Sequence, residues 1–309
     1  MVAGLLPLCD GPVSVFFSSN CYDKKHGYCY TVVMIEKRKL GKTREEVTIL
    51  GLGGEGILRT FGYDEQAYGL INKAIDLGIN YCESARAYSG SESYYGQALR
   101  ERRNEVFLTS KSHARDKKGA LTHLSETLMN MKTDHLDLWQ VHDVRTERDI
   151  EEIFGHEGAI ETFIEAKRIG LTRFIGVTGH HDPAILLRCI DMFDFDTVLL
   201  PVNPAEPSYK SFLHTVIPRA NDKGMGIIGM KVYFRGFAAK LPWYSSMEPF
   251  LHYALSQPVT TVVIGCDSMQ QLEENVDHAR SFHQMPDQDK QSLESRIAPF
   301  ARELMYYKP

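Results

Sequence analysis

The sequence has no long apolar run, no surplus of positive charge and no paired cysteines. No apolar stretch approaches the roughly 20 residues needed to cross a bilayer, so a spanning helix is not expected. Lys and Arg number 35 against 40 Asp and Glu. That balance leaves no basic field for nucleic acid or anionic lipid. The six cysteines (Cys9, Cys21, Cys29, Cys82, Cys189, Cys266) never fall in C-x-x-C spacing. They suggest neither a metal set nor a disulfide framework, which fits a reducing, cytoplasmic setting. A dinucleotide fingerprint is also missing. Gly51-Leu-Gly53-Gly54-Glu-Gly56 has the glycines, but no helix start follows at once.

What is present is a globular composition, 43% apolar and 24% charged. Residues 1–33 stand apart: they hold three cysteines, and Pro7 and Pro12 interrupt their apolar pieces. They read as an appended extension, disordered or preceding a true start at Met34. A secretory signal fits less well, because the first residues carry no cationic side chain.

From Met34 onward, short apolar runs alternate with stretches of helical period. The runs are Ile49–Gly53, Gly78–Cys82, Val106–Ser110, Leu136–Val141, Phe174–Thr178, Val198–Val202, Gly226–Met230 and Thr261–Ile264. Nearly all-apolar strands separated by helices imply a parallel sheet covered on both faces. Eight evenly spaced repeats favour a closed (β/α)8 TIM barrel over an open doubly wound sheet. Lys37–Leu40 and Glu46–Thr48 flank a Gly-containing turn and read as a hairpin closing the barrel floor. With no Pro/Gly/Ser linker in the body, residues 34–309 are expected to form one domain.

In such a barrel, chemistry sits where the strands end. The second strand ends at Glu83, with Tyr88 five residues on; the third ends Ser110-Lys111 and the fourth Val141-His142-Asp143. A carboxylate, a phenol, an ammonium and an imidazole at adjacent strand ends are the parts of a proton-donating site. A phenol is a weak acid. A nearby ammonium would lower its pKa, a carboxylate would hold that ammonium, and an imidazole would orient a carbonyl. Each residue alone is more often structural than catalytic; the four together reverse that weighting.

These residues carry a resemblance to the aldo-keto reductase superfamily over nearly all of residues 34–309. Asn80-Tyr-Cys-Glu83-Ser-Ala-Arg-Ala-Tyr88-Ser-Gly-Ser-Glu92, Asp137-Leu-Trp-Gln-Val-His142, Arg173-Phe-Ile-Gly-Val-Thr178-Gly and Gln271-Leu-Glu-Glu-Asn275 are similar to that family's motifs. The resemblance implies a (β/α)8 barrel, hydride exchange between NAD(P)H and a carbonyl, and a catalytic tetrad of Glu83, Tyr88, Lys111 and His142. Tyr88 would then be the proton donor.

Several positions depart from the family pattern. The family's aspartate is Glu83 here, a longer acid still expected to reach Lys111. Where the family holds the nicotinamide carboxamide, this chain has Thr178, Gly179 and Leu199, with Asn203 a substitute. Met230 replaces the ring that stacks on the nicotinamide. Gly54, Lys231, Arg235 and Gly236 are expected to face the cofactor, Lys231, Arg235 and Gly236 at its pyrophosphate. The loop Gly265-Cys266-Asp267-Ser268 leads into a helix whose Ser268-x-x-Gln271 reads as a capping box, with Asn275 one turn on. Gly265, Asp267 and Gln271 stand where NADP-specific members place cations, and an acid there favours a 2′-hydroxyl over a 2′-phosphate. The expected cofactor is NAD(P)H, leaning to NAD(H).

His180-His181 suggests a metal pair, but no carboxylate cluster accompanies it, so no metal is expected. Phe61, Trp243 and Tyr244 are candidate pocket walls. Two other readings remain: a cofactor-binding barrel acting as a sensor, and an unrelated barrel using Lys111 as a Schiff-base amine.

Overall fold

The computed structural model describes residues 18–22 and 29–309. Ser18–Tyr22 (β1) and Cys29–Val33 (β2) pair as an antiparallel ribbon. The rest of the expected 1–33 extension lies outside the described residues. Lys37–Lys39 (β3) and Glu46–Thr48 (β4) form the expected hairpin. Eight parallel strands follow: β5 (Leu50–Gly56), β6 (Tyr81–Glu83), β7 (Phe107–Ser112), β8 (Leu136–Val141), β9 (Thr172–Thr178), β10 (Thr197–Pro201), β11 (Gly226–Met230) and β12 (Thr261–Cys266). They close on themselves, each beside its successor, with β12 returning to β5. The fold is a (β/α)8 barrel.

Helices follow most strands: α1 (Asp64–Asp76), α2 (Ser91–Leu99), α3 (Lys117–Met131), α4 (Glu147–Phe154), α5 (Ala159–Arg168), α6 (Pro183–Met192), α7 (Phe212–Asp222), α8 (Glu248–Leu255) and α9 (Met269–Arg280). Helix α4 departs from the sequence expectation. Its Thr146 caps the Asp149 amide, and Asp149 bonds back to the Thr146 N–H, a reciprocal box that starts the helix firmly. Among the described residues, no helix is long and apolar enough to cross a membrane.

Strand period sorts side chains between lumen and outer face. Tyr81, Phe107, Leu138, Leu199 and Ile228 meet inside the barrel, joined by Phe174 and Val263. Tyr81 stacks on Phe107 with ring centres 5.6 Å apart, and Phe107 on Phe174 at 6.2 Å. From below, Leu40 and Val47 of the hairpin region complete this layer. Leu40 lies so close over Gly226 that a Cβ there would sit 2.6 Å from its methyl carbon. The floor is thus sealed by packing, and chemistry is left to the other end.

Candidate active site

The same two-residue period that puts aromatic rings in the lumen lifts the polar groups above them. Glu83 stands two residues past Tyr81, Lys111 four past Phe107, and His142 four past Leu138. In register, Glu83 lies opposite Thr109 and Lys111 opposite Gln140. The tetrad therefore rises directly from the apolar layer.

Lys111 and Glu83 are an ion pair, both almost wholly buried. The Lys111 Nζ also donates to the Ser84 carbonyl at 2.8 Å. The second Glu83 oxygen accepts the Gly54 N–H at 3.1 Å. The longer acid thus reaches its lysine, as expected. The lysine's commitments leave little to recommend it as a Schiff-base amine. Burial pulls the Lys111 pKa well below the ordinary lysine value.

Tyr88 sits in the turn after β6, its N–H bonded to the Ala85 carbonyl. The Lys111 Nζ lies 5.0 Å from its ring centre and the Arg59 guanidinium 4.9 Å. His142 meets the ring edge-on, with centres 6.0 Å apart. A Cβ on Gly54 would strike Ser91 Oγ at 2.4 Å and approach Tyr88 at 3.0 Å, so only glycine fits beneath the phenol. The expectation that an ammonium lowers the phenol's pKa is corrected here. Burial pushes it upward, Glu55 and Asp143 push the same way, and Arg59 and Arg235 only partly oppose them. Tyr88 holds its proton at neutral pH.

His142 has a buried Nδ1 with no partner among the described residues. Burial, then the nearby Lys111 charge, pulls its pKa well below the ordinary histidine value, so the ring is neutral. It opens onto a cavity of about 430 Å³ shared with His113, Arg115, Asp143 and Arg145.

The residues expected to face a cofactor divide into three groups. Met230 tops the lumen layer, half-buried. Lys231 and Arg235 follow it with φ of 60° and 56°, strained backbone of the kind found at binding sites. A second group lies at the end of β12. A Cβ on Gly265 would sit 2.6 Å from the Glu55 backbone, so the glycine lets β12 and β5 close together. Ser268 caps α9 by accepting the Gln271 N–H. Gln271 reaches back to the Asp267 N–H rather than to that of Ser268, so the expected box is displaced by one residue. Asp267 is exposed.

The third group is turned toward the chain itself. Thr178 Oγ1 accepts the Asp143 N–H, and Gly179 donates to the Leu199 carbonyl. Asn203 gives its amide protons to the Lys231 carbonyl and to Tyr307 Oη, while its oxygen accepts the Ala205 N–H. Asn275 bonds Tyr233 and Cys266. A cofactor carboxamide would have to share Asn203 with Tyr307. Trp243, an expected wall, stacks instead on Phe250 beneath Arg296.

Sequence reasoning gave no role to Glu55, Arg59 or Asp143. Asp143 follows His142 with φ 56° and holds Arg145 at 2.5 Å and His180 at 3.2 Å. Glu55 accepts from Arg59 at 2.7 Å and from Arg235 at 3.5 Å. A lone acid inside a glycine run was the available signal for Glu55. The contacts of the C-terminal tail with Glu206 were also passed over. Lys308, next to last, is buried on Glu206 at 2.7 Å, and Tyr307 donates to the same carboxylate at 2.8 Å.

A closed parallel barrel carries at its mouth a buried Lys–Glu pair beside a tyrosine, groups able to exchange a proton with a bound molecule. The profile of the Aldo/keto reductase family matches residues 49–242, more than half of the chain, and the chain belongs to that family. It is 24% identical over 306 residues to the uncharacterised oxidoreductase YqkF of Bacillus subtilis, covering 84% of this chain and 96% of that protein. Its fold superposes on the holo aldo-keto reductase AKR11C1 of Bacillus halodurans with a TM-score of 0.72 at 21% identity, covering 85% and 96% of the two chains. An aldo-keto reductase from Klebsiella pneumoniae in complex with NADPH superposes equally well, TM-score 0.72 at 17% identity, over 86% and 96%. The protein is an NAD(P)-dependent oxidoreductase acting between a carbonyl and an alcohol.

Proposed function

We propose that this chain reduces an aldehyde, ketone or sugar carbonyl, or oxidises the corresponding alcohol, with Tyr88 giving or taking the proton on oxygen. The observation that carries the reading is the buried Lys111–Glu83 pair set against the Tyr88 ring.

The residues present fit a nicotinamide cofactor. Met230 offers an apolar seat at the top of the lumen layer, and the exposed start of α9 suits phosphate. Met230, Lys231, Arg235, Gly265, Ser268 and Gln271 would hold it, with Asn203 and Thr178 near its carboxamide. When bound, the cofactor supplies or accepts the hydride.

The chain's own residues do the rest. Tyr88, kept protonated by burial, delivers its proton to the oxygen of the new alcohol. The phenolate left behind lies beside the Arg59 guanidinium, whose permanent charge limits the cost of that anion. Glu83, itself held by the Gly54 N–H, keeps Lys111 in place. Neutral His142 steers the carbonyl toward the phenol. In this reading the cofactor is NAD(P)(H). The NAD(H) preference expected from Asp267 gains no support, since the Klebsiella pneumoniae relative holds NADPH.

The test is turnover of an aldehyde panel with NADH and with NADPH, for wild type and Tyr88→Phe. The variant is expected to lose at least about a hundredfold in rate, the scale of acid–base catalysis, while still quenching or enhancing cofactor fluorescence on binding. Turnover equal to wild type would remove Tyr88 from its role.

A further inference from the structure

The mouth of the barrel carries a cation, Arg59, whose exposed donors neither proton transfer nor cofactor binding uses. Glu55 ends β5, Arg59 lies one 3-10 turn later, and Lys231 and Arg235 follow β11. Arg59 donates to Glu55 at 2.7 Å and Arg235 reaches the other oxygen at 3.5 Å. Two permanently charged guanidiniums thus share one carboxylate, and the Lys231 side chain adds to the same side.

Among the described residues, Glu55 is the carboxylate that Arg59 and Arg235 share. Asp143 is engaged by Arg145 and His180, and the Glu83–Lys111 pair is balanced within itself. From the C-terminal tail comes Tyr306, a neutral partner for Arg235. Arg59 also faces the reacting phenol, its guanidinium 4.9 Å from the Tyr88 ring centre. Its side chain remains 40% exposed and that of Arg235 52%, so both present donors to the open mouth.

We infer that the carbonyl substrate carries an anionic group, a carboxylate or a phosphate, which docks on Arg59 while its carbonyl meets Tyr88. The inference rests on the oxidoreductase reading above and adds the substrate class. A guanidinium offers five N–H donors in a planar fork, and Glu55 engages one nitrogen of Arg59, so a further oxyanion finds a matching edge. Glu55 fixes the fork over the mouth before substrate arrives, which lowers the ordering cost of binding.

The experiment compares matched substrates with the full-length protein and NADPH or NADH. Succinic semialdehyde is set against butanal, and glyceraldehyde 3-phosphate against glyceraldehyde. The anionic member of at least one pair should show a kcat/KM about tenfold higher, a ratio that shrinks as salt is raised. Whichever pair shows it separates carboxylate from phosphate. In Arg59→Met that ratio should fall to near one through KM, and Arg59→Lys should recover part of it. Neutral members turned over as well as anionic ones by the wild type would overturn the inference and leave the oxidoreductase reading intact. So would an Arg59→Met defect shared by both members of a pair and matched by weaker NADPH binding, which assigns the fork to cofactor phosphates. Turnover of none of the four, nor of any aldehyde in the wider panel, would overturn both.

Discussion

Leu40 at the floor of the barrel and Lys111 near its rim are buried to the same degree, for opposite reasons. The floor excludes water by close contact of apolar atoms: Leu40 on Gly226, Val47 beneath the Tyr81 and Phe107 rings. The rim keeps charge inside, and the buried Lys111 and Glu83 there are partners of each other. Backbone strain is found at both ends, with Arg44 of the floor hairpin at φ 64°. Asp143, Lys231, Phe234 and Arg235 all take positive φ just past the ends of β8 and β11. Residues of this kind cost energy that regular structure elsewhere must offset. The apolar floor serves stability and the charged rim serves chemistry, and substitutions should separate the two.

The largest effect is expected at the rim. Glu83→Ala would leave the Lys111 ammonium buried without its counter-charge, a loss of about 3–5 kcal/mol of stability, together with loss of turnover. Urea unfolding and aldehyde reduction measure both. Glu83→Gln sharpens the result: the amide keeps an acceptor for the Gly54 N–H, so the remaining loss reports the charge alone. At the floor, Leu40→Ala should cost about 3 kcal/mol through lost burial and the cavity left behind. Its kcat below the unfolding transition should match wild type. A fall in kcat as large as that of Glu83→Gln would erase the distinction between the two ends.

The division also explains which features were legible from sequence. The strands of the barrel are near-continuous apolar runs, and Leu136–Val141 and Gly226–Met230 coincide with β8 and β11. The placement of Glu83, Lys111 and His142 was legible because a strand end is a local feature, and each sits at one. Helix α4 was legible in principle, through Thr146 and Asp149 at capping-box spacing, but only when that spacing was sought. The Glu55–Arg235 contact was not, because its partners lie 180 residues apart and meet only when β12 closes on β5. Lys308 and Glu206, 102 residues apart, are hidden for the same reason. Asn203 was placed at the correct strand end, yet its hydrogen bonds go to the chain, and no local pattern records that the tail returns to claim them.

A smaller effect would sharpen the contrast by pH. His180 faces Asp143 and Arg145 from β8, Lys231 from β11, its neighbour His181 and the Tyr307 ring. Burial pulls its pKa from 6.5 down to about 4, and the Asp143 carboxylate only partly opposes this. The folded chain therefore resists a proton that the unfolded chain accepts. Between pH 6.5 and 4 the unfolded state binds more protons, so stability falls as pH falls, and above 6.5 the group contributes nothing. At pH 5 the loss from this one ring is about 2 kcal/mol relative to pH 7.5. Urea unfolding at the two pH values should show His180→Gln losing less stability than wild type by that amount. The floor variant Leu40→Ala should keep the wild-type pH dependence, since it removes no titratable group. Equal acid sensitivity in His180→Gln and wild type would mean that the rim admits a proton at little cost, and that its enclosure is weaker than that of the floor.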